Sequence, residues 1–441
     1  MNVLVIGGGA REHAICAGVV RSGHSLFVVM KNANPGIKRL ADDCRLEEET
    51  NVESVVDYAT GQDVDLAIVG PEAPEEAGVT NALKKAGIAV ASPTKEAAEI
   101  ETDKEYMRSL MDRYDIPGSL EARAFSDPGE AREFIERQCG AVAVKPVGLT
   151  GGKGVKVAGD HLNSVDDAVG YATRVIDEKI GGVPRVLIEQ RAVGEEFTVQ
   201  AFCDGTTILP TPAVQDHKRL LPNDEGPNTG GMGSYSHASG MLPFMNGSDY
   251  EEAVGILQHI VEALRREGRP YHGVIYGQFM LTRDGPKVIE INARWGDPEA
   301  MNIIPLIKTD FVELNMAMVE GGLGGVQLDM RQASTVCKYV VPEGYGHSPN
   351  GGHLVTVNEE QIDEADGTLF YASVDERDDG IYTTTSRSLA VLGVADRIAE
   401  AEAICERCLG HVQGDHLFIR HDIGKQALVD KRMAHMRRLR S

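Results

Sequence analysis

The chain has 441 residues, of which 42% are apolar and 25% charged, and its formal net charge is −23. This length exceeds a single compact core and predicts three or four domains in an ordinary globular protein. The acidic balance excludes a nucleic-acid or anionic-membrane surface as the main partner and fits solubility, or a salty cytoplasm.

A short apolar strand over residues 3–6 runs into Gly7-Gly8-Gly9-Ala10-Arg11-Glu12-His13. Strand, glycine turn and helix start make a phosphate-binding arrangement, because free backbone N–H groups and the helix dipole point at an anion. The dinucleotide fingerprint fails, since its third glycine would fall on Glu12 and Lys31, not an acid, follows the second strand over 26–30. A parallel-type strand over 65–69 ends in Gly70-Pro71-Glu72-Ala73-Pro74, a loop at the ligand-binding edge of an open α/β sheet. A strand over 88–91 completes a first domain, residues 1–101.

Thr102-Asp103-Lys104-Glu105 reads as a capping box ahead of Met107, Leu110 and Met111. Asp127-Pro128 opens a second helix. A strand over 141–144 ends at Lys145-Pro146 and the loop Val147-Gly148-Leu149-Thr150-Gly151-Gly152-Lys153-Gly154. With a lysine at each end, this loop suits closure over a triphosphate, although it is not a Walker P-loop because Gly154 follows Lys153. Strands over 185–190 and 197–203 carry Glu189 and Glu196 on either side of a turn, either serving adenine and ribose or exposed to solvent. Asp204-Gly205 then suggests a hairpin.

Residues 215–235 show no strand pattern, and a loop of that length is functional or disordered. Its Asp216-His217-Lys218-Arg219 and Gly226-Pro227-Asn228-Thr229-Gly230-Gly231 mix donors with glycines that let backbone approach a ligand. A helix is predicted over 250–267, then paired strands over 273–281 and 286–292. The second strand puts Glu290 and Asn292 on one face, two oxygen donors that can grip a hard cation such as Mg²⁺. Arg294 follows on that face and offers a rigid fork to a carboxylate or phosphate. Residues 102–324 would form the core. Residues 325–441 read as a small α/β domain with a final helix near 394–409 and no obvious chemistry.

No run is long enough for a signal peptide or membrane span, and seven scattered cysteines read as reduced cytosolic thiols. Cys405-x-x-Cys408, followed by His411, His416 and His421, invites a zinc reading. The same cysteines also share one face of an amphipathic helix, and with a single pair the structural reading is preferred.

Together, residues 7–13, 69–74, 148–155, 215–219, 226–235 and 292–299 resemble the glycinamide ribonucleotide synthetase family of the ATP-grasp superfamily. The Asp216–Arg219 and Gly226–Gly233 motifs are the family-specific part, and the resemblance covers nearly the whole chain. It implies an N-terminal open parallel α/β sheet for substrate, an ATP-grasp core with a mobile lobe at about 120–195 and a small C-terminal α/β domain. It also implies ligation of glycine to 5-phosphoribosylamine in purine synthesis, with ATP giving ADP and phosphate. By position, Lys104, Lys145 and Lys153, with Gly151 and Gly152, would meet the ATP phosphates, while Glu189 and Glu196 would hold the adenosine. Glu290 and Asn292, with Gln278 where most relatives carry an acid, would bind Mg²⁺ or Mn²⁺. Substrate contacts would come from Gly7, Gly9, Arg11, Glu12, Gly70, Pro71, Glu72, Asp216, Lys218, Asn228, Thr229, Gly230, Arg294 and Asp297. Arg294, Lys145, Asp216 and Lys218 would serve catalysis. Departures are Val147 where many relatives have Asp, Gly8 where they have Asn, and Lys31-Asn32-Ala33-Asn34-Pro35-Gly36.

A carboxylate must be activated before an amine can attack it, so the implied route runs through glycyl phosphate, with charge neutralisation as the main catalytic need. A nicotinamide-dependent oxidoreductase, a non-catalytic nucleotide sensor and another ATP-grasp carboxylate–amine ligase are the rivals. The expected setting is a cytoplasmic monomer or weak dimer acting on small molecules, with no nucleic acid and no membrane.

Overall fold

The computed structural model describes residues 1–149 and 154–441. Among the described residues, five sheets and the helices around them account for the architecture. The first is fully parallel, with Asp43–Leu46, Ser25–Met30, Asn2–Ile6, Leu66–Val69 and Ala89–Val90 side by side in that order. Its central strands are continuous apolar runs, as a parallel sheet buried on both faces requires. The order reverses between Asn2–Ile6 and Leu66–Val69, so the crevice at their carboxyl ends is the natural ligand position of this sheet.

An antiparallel sheet follows, ordered Ala122–Phe125, Val186–Gln190, Val142–Pro146, Lys156–Val157. It is covered by helices Pro128–Arg137 and Val165–Asp177, which share one apolar cluster with it. Asp127 caps the first of these through the Glu130 N–H, with Pro128 in the first turn, as the sequence predicts. At 102–105 the cap is one residue later than predicted. Asp103, not Thr102, accepts from the N–H groups of Glu105 and Tyr106, because Thr102 ends the preceding helix Lys95–Thr102.

The largest sheet runs from Gly285–Asn292 through His272–Thr282, Glu195–Asp204, Val214–Asp216, Gly233–Ser236, Ser334–Pro342 and Leu389–Ala395 to Gly367–Tyr371. Gly233–Ser236 pairs directly with Ser334–Pro342, so core and C-terminal region share one sheet. Residues 215–235, expected as a loop, contribute to four short strands. Glycines and polar residues hid them: Arg219–Leu221 and Glu225–Asn228 pair with each other, while Val214–Asp216 and Gly233–Ser236 pair together and join the large sheet through Glu195–Asp204 and Ser334–Pro342. The C-terminal region holds a second helix, Gln426–Arg440, beyond the predicted one, which spans Ile398–Leu409. Among the described residues no helix is long and apolar enough to cross a membrane.

Candidate functional site

At the crevice of the parallel sheet, the glycine turn packs around one carboxylate. Glu12 Oε2 accepts the Gly9 N–H at 2.8 Å, and Oε1 lies 2.6 Å from Arg11 Nε. A Cβ on Gly7, Gly9 or Gly70 would run into the Glu12 side chain, so these positions need glycine for space. Glu12, 3% exposed, is thus committed to shaping the loops. Arg11, Pro71 and Glu72 are the residues of this edge that reach a cavity of about 450 Å³.

Across that cavity stands Arg294, just beyond strand Gly285–Asn292. Its Nε lies 3.3 Å from Glu72 Oε2 and its Nη2 3.1 Å from Glu101 Oε1, so the fork is held between two carboxylates. Glu101 is fixed in turn by the Ala293 N–H at 2.6 Å. Burial opposes ionisation of Glu72, but Arg294 and then Arg11 outweigh it and hold the carboxyl down to about 2. Glu101 was not singled out from sequence, where it reads as one more surface carboxylate of an amphipathic helix.

The next wall is a lysine cluster around Glu290. Glu290, Asn292 and Arg294 all line the cavity, as alternation along one strand face requires. Lys218 Nζ lies 3.3 Å from Glu290 Oε1, and Lys104 Nζ donates to the Gly148 carbonyl at 2.9 Å. Although burial pushes the other way, Lys218, Lys145 and Lys104 pull the Glu290 carboxyl down to about 2. Lys145 ends its strand buried, 2.6 Å from Glu189 Oε2 and 2.9 Å from the Ile289 carbonyl.

Two of the expected site residues have their side-chain oxygens engaged within the protein. Glu189 is 1% exposed and both its oxygens are taken, by Lys145 and by Arg108 Nε at 2.7 Å. It holds two cations in place. Gln278 does not present a free metal-ligating oxygen, because its carbonyl accepts the Lys218 ammonium while its amide donates to Glu196 Oε2 at 2.7 Å. Gln278 is therefore a bridge between Lys218 and Glu196. For a hard cation the remaining oxygen set is Glu290 and Asn292, which fits an ion completed by phosphate oxygens better than a closed protein cage. Gly151, Gly152 and Lys153 lie outside the described residues.

The last wall is built from the motif residues of 215–235 and from the C-terminal region. Asp216, Lys218, Thr229 and Gly230 line the cavity. Thr229 is anchored through its N–H and Oγ1 to the Lys218 carbonyl, at 2.7 and 2.8 Å. Asn228 pairs with Arg219 in the adjoining two-stranded ribbon. Asp297 accepts the Tyr339 hydroxyl on one oxygen and Arg387 Nη2 at 2.8 Å on the other.

Arg387 also donates to the carbonyls of Gly230, at 2.5 Å, and Asp297, at 3.0 Å. With Tyr345 and Ser386 it brings the C-terminal region into the cavity, contrary to the expectation that this tail carries no chemistry. One arginine among Thr383, Thr384, Thr385, Ser386 and Ser388 has no spacing to mark it. Only the shared sheet places it here.

Cys405 and Cys408 are buried on helix Ile398–Leu409 and face backbone carbonyls of Val391 and Ile362, at 3.2 and 3.7 Å. His416 and His421 pair with Glu343 and Glu406. Among the described residues no group of three or more His, Cys, Asp and Glu side chains is set to hold a metal. The structural reading of the cysteine pair stands.

Three family models match the chain. They are the phosphoribosylglycinamide synthetase N domain over residues 1–101, ATP-grasp (A) domain over 102–300 and C domain over 335–426. A protein of Methanothermobacter thermautotrophicus named phosphoribosylamine–glycine ligase is 51% identical over 441 residues, covering all of both chains. One of the same name from Methanosarcina barkeri is 50% identical over 443 residues, again end to end. Among solved structures, the phosphoribosylamine–glycine ligase of Thermotoga maritima superposes with a TM-score of 0.81 at 27% identity, covering 96% of this chain and 100% of that one. The biotin carboxylase domain of Hydrogenobacter thermophilus 2-oxoglutarate carboxylase has a TM-score of 0.72 at 15% identity, covering 99% of this chain and 93% of that one. It shares the fold.

Proposed function

Since the chain belongs to the phosphoribosylglycinamide synthetase family, we propose that its cavity joins glycine to 5-phosphoribosylamine with cleavage of ATP to ADP and phosphate. It is an ATP-dependent carbon–nitrogen ligase of purine biosynthesis. The observation that carries the site assignment is a single cavity lined by Glu290, Asn292, Lys104, Lys218 and Arg294. Cations for a triphosphate, oxygens for a metal and a fork for a carboxylate meet in one space.

The glycine carboxylate attacks the γ-phosphorus, giving glycyl phosphate and ADP. Phosphoryl transfer needs positioning and charge neutralisation rather than a covalent partner on the protein. Lys104 and Lys145 neutralise the phosphates. Lys218 lies between Glu290 and Asp216, where it stabilises charge gathering on the acyl phosphate. Arg294, locked between Glu72 and Glu101, orients the carboxylate without reorganising as the reaction proceeds. A divalent cation, Mg²⁺ or Mn²⁺, held by Glu290 and Asn292 would screen the phosphate oxygens. The amine of phosphoribosylamine then attacks the acyl carbon and phosphate leaves. Arg11, Pro71 and Glu72, at the switch point of the parallel sheet, face the sugar phosphate side, with Gly7, Gly9, Gly70 and Glu12 shaping the loops beneath.

We assign substrate recognition to residues 1–101, ATP handling to 102–324 and completion of the cavity to 325–441. The working unit we propose is a monomer or weak dimer. Seven free thiols and a reaction that consumes ATP support a cytoplasmic location. The deciding experiment measures ADP release with glycine, with generated phosphoribosylamine and with both. Full release only with both supports the reading, and release indifferent to glycine would overturn it.

A further inference from the structure

Amide formation from an amine and an acyl phosphate releases a proton, and the lysines and arginines of the cavity do not take it up. Two carboxylates there are candidates to take it. Glu299 is 2% exposed, lines the cavity and accepts the Tyr276 hydroxyl at 2.9 Å. Asp216 lines the same cavity, and its Oδ1 is buried with no hydrogen-bond partner among the described residues.

Both lie against one turn. A Cβ on Gly296 would sit 2.5 Å from Glu299 Oε2, and a Cβ on Gly231 would sit 2.7 Å from Asp216 Oδ1 and 2.8 Å from Pro298 Cδ. Burial pushes both carboxyl groups above their ordinary range, and Glu299 adds to the rise at Asp216. A charged, buried carboxylate oxygen without a donor is costly, so Asp216 Oδ1 is set to gain a proton, while Glu299 is oriented by the Tyr276 hydroxyl.

We propose that Asp216 and Glu299, buried carboxyl groups lining one cavity, together accept the proton released by the attacking nitrogen of phosphoribosylamine. The inference rests on the acyl phosphate reading above. The new C–N bond forms, the C–O bond to phosphate breaks with its electron pair leaving on the phosphate oxygen, and the N–H proton moves to the carboxylate pair. From there it passes to the departing phosphate. Lys218 offsets the negative charge at Asp216 while Arg294 serves the carboxylate end. A base whose affinity for protons has been raised by burial is matched to this task at neutral pH.

The test separates the two halves of the reaction. Hydroxylamine is unprotonated at neutral pH and traps glycyl phosphate as the hydroxamate without help from a base. Glu299→Gln is expected to keep glycine- and ATP-dependent hydroxamate formation within about threefold of wild type, while ribonucleotide formation falls about 100-fold. Tyr276→Phe, which removes only the hydroxyl that Glu299 accepts, is expected to show the same split in milder form and serves if Glu299→Gln does not fold. A parallel fall in both reactions, or an unchanged ligation rate, would overturn the assignment. Absence of hydroxamate from the wild type would overturn the acyl phosphate reading itself, and this inference with it.

Discussion

Lys145 Nζ stands 2.6 Å from Glu189 Oε2, and the two side chains are 4% and 1% exposed. The pair is closed from the other side by Arg108, also 2.7 Å from Glu189, so one buried carboxylate is shared by two cations. Such a cation is fixed in place before any ligand arrives, which is what an anionic substrate group requires.

Lys145→Met is therefore expected to weaken binding of a non-hydrolysable ATP analogue by about 10- to 100-fold, the range of a lost charge-assisted hydrogen bond. Lys156→Met is expected to change it far less. Its Nζ rests 4.2 Å from the centre of the Tyr171 ring on a two-residue strand, where it contributes local packing. Calorimetric titration compares the two, and equal affinities for wild type and Lys145→Met would count against the phosphate role.

The second prediction concerns the metal. Glu290→Ala is expected to abolish turnover, by about 100-fold or more, while leaving the melting temperature near that of wild type. Outer-shell partners of metal sites alone cost roughly 10- to 100-fold when lost, and a direct carboxylate ligand costs at least as much. Asn292→Asp keeps an oxygen donor and is expected to retain part of the activity. Normal turnover of Glu290→Ala at saturating Mg²⁺ would remove the metal assignment.

Where a site residue was legible, local periodicity had made it so. Glu290, Asn292 and Arg294 alternate along one strand, and the structure puts all three on the cavity. The parallel sheet announced itself through apolar runs ending in glycine turns. Residues that failed to show depended on long-range pairing. Gly233–Ser236 takes its place in the sheet from Ser334–Pro342, about a hundred positions away, and Arg387 reaches the cavity because the C-terminal strands extend the core sheet. The ion pairs of Glu189 were hidden for a related reason, because its buried partners Arg108 and Lys145 lie far off in sequence.

The third prediction is a pH dependence of stability. His13 is buried, its Nδ1 accepts the Tyr371 N–H at 2.9 Å, and burial, reinforced by Arg39, lowers its affinity for protons to about 4. Protonation would set a donor against a donor. The unfolded chain takes up this proton near the ordinary value of about 6.5, so between there and 4 the unfolded state binds more protons than the native one. Stability from this residue is present above about 6.5 and lost as pH falls towards 4, by roughly 2–3 kcal/mol. Urea unfolding at pH 7 and pH 4.5 measures it. His13→Asn is expected to be less stable at pH 7 and to lose less on acidification. An identical loss in both proteins would refute the assignment.

The last prediction concerns the fate of the glycine oxygen. If glycine is activated as an acyl phosphate, one carboxylate oxygen bonds to the γ-phosphorus and must leave with phosphate when the amine attacks. A thioester route would need a cysteine nucleophile with a base beside it. Cys16, Cys203, Cys337, Cys405 and Cys408 are buried, with burial raising each thiol. Cys44 and Cys139 are more open, but neither lines the cavity. An adenylate route would release AMP and pyrophosphate, and would call for cations around the α-phosphate. The Lys104 and Lys218 ammonium groups instead cluster at Glu290, beside the Arg294 fork that takes the carboxylate. Turnover of carboxyl-¹⁸O glycine is therefore expected to put one label into inorganic phosphate and to yield ADP. Mass spectrometry of the phosphate, with chromatography of the nucleotide, decides between the routes. Unlabelled phosphate, or AMP in place of ADP, would sink the acyl phosphate mechanism while leaving the ligase assignment standing.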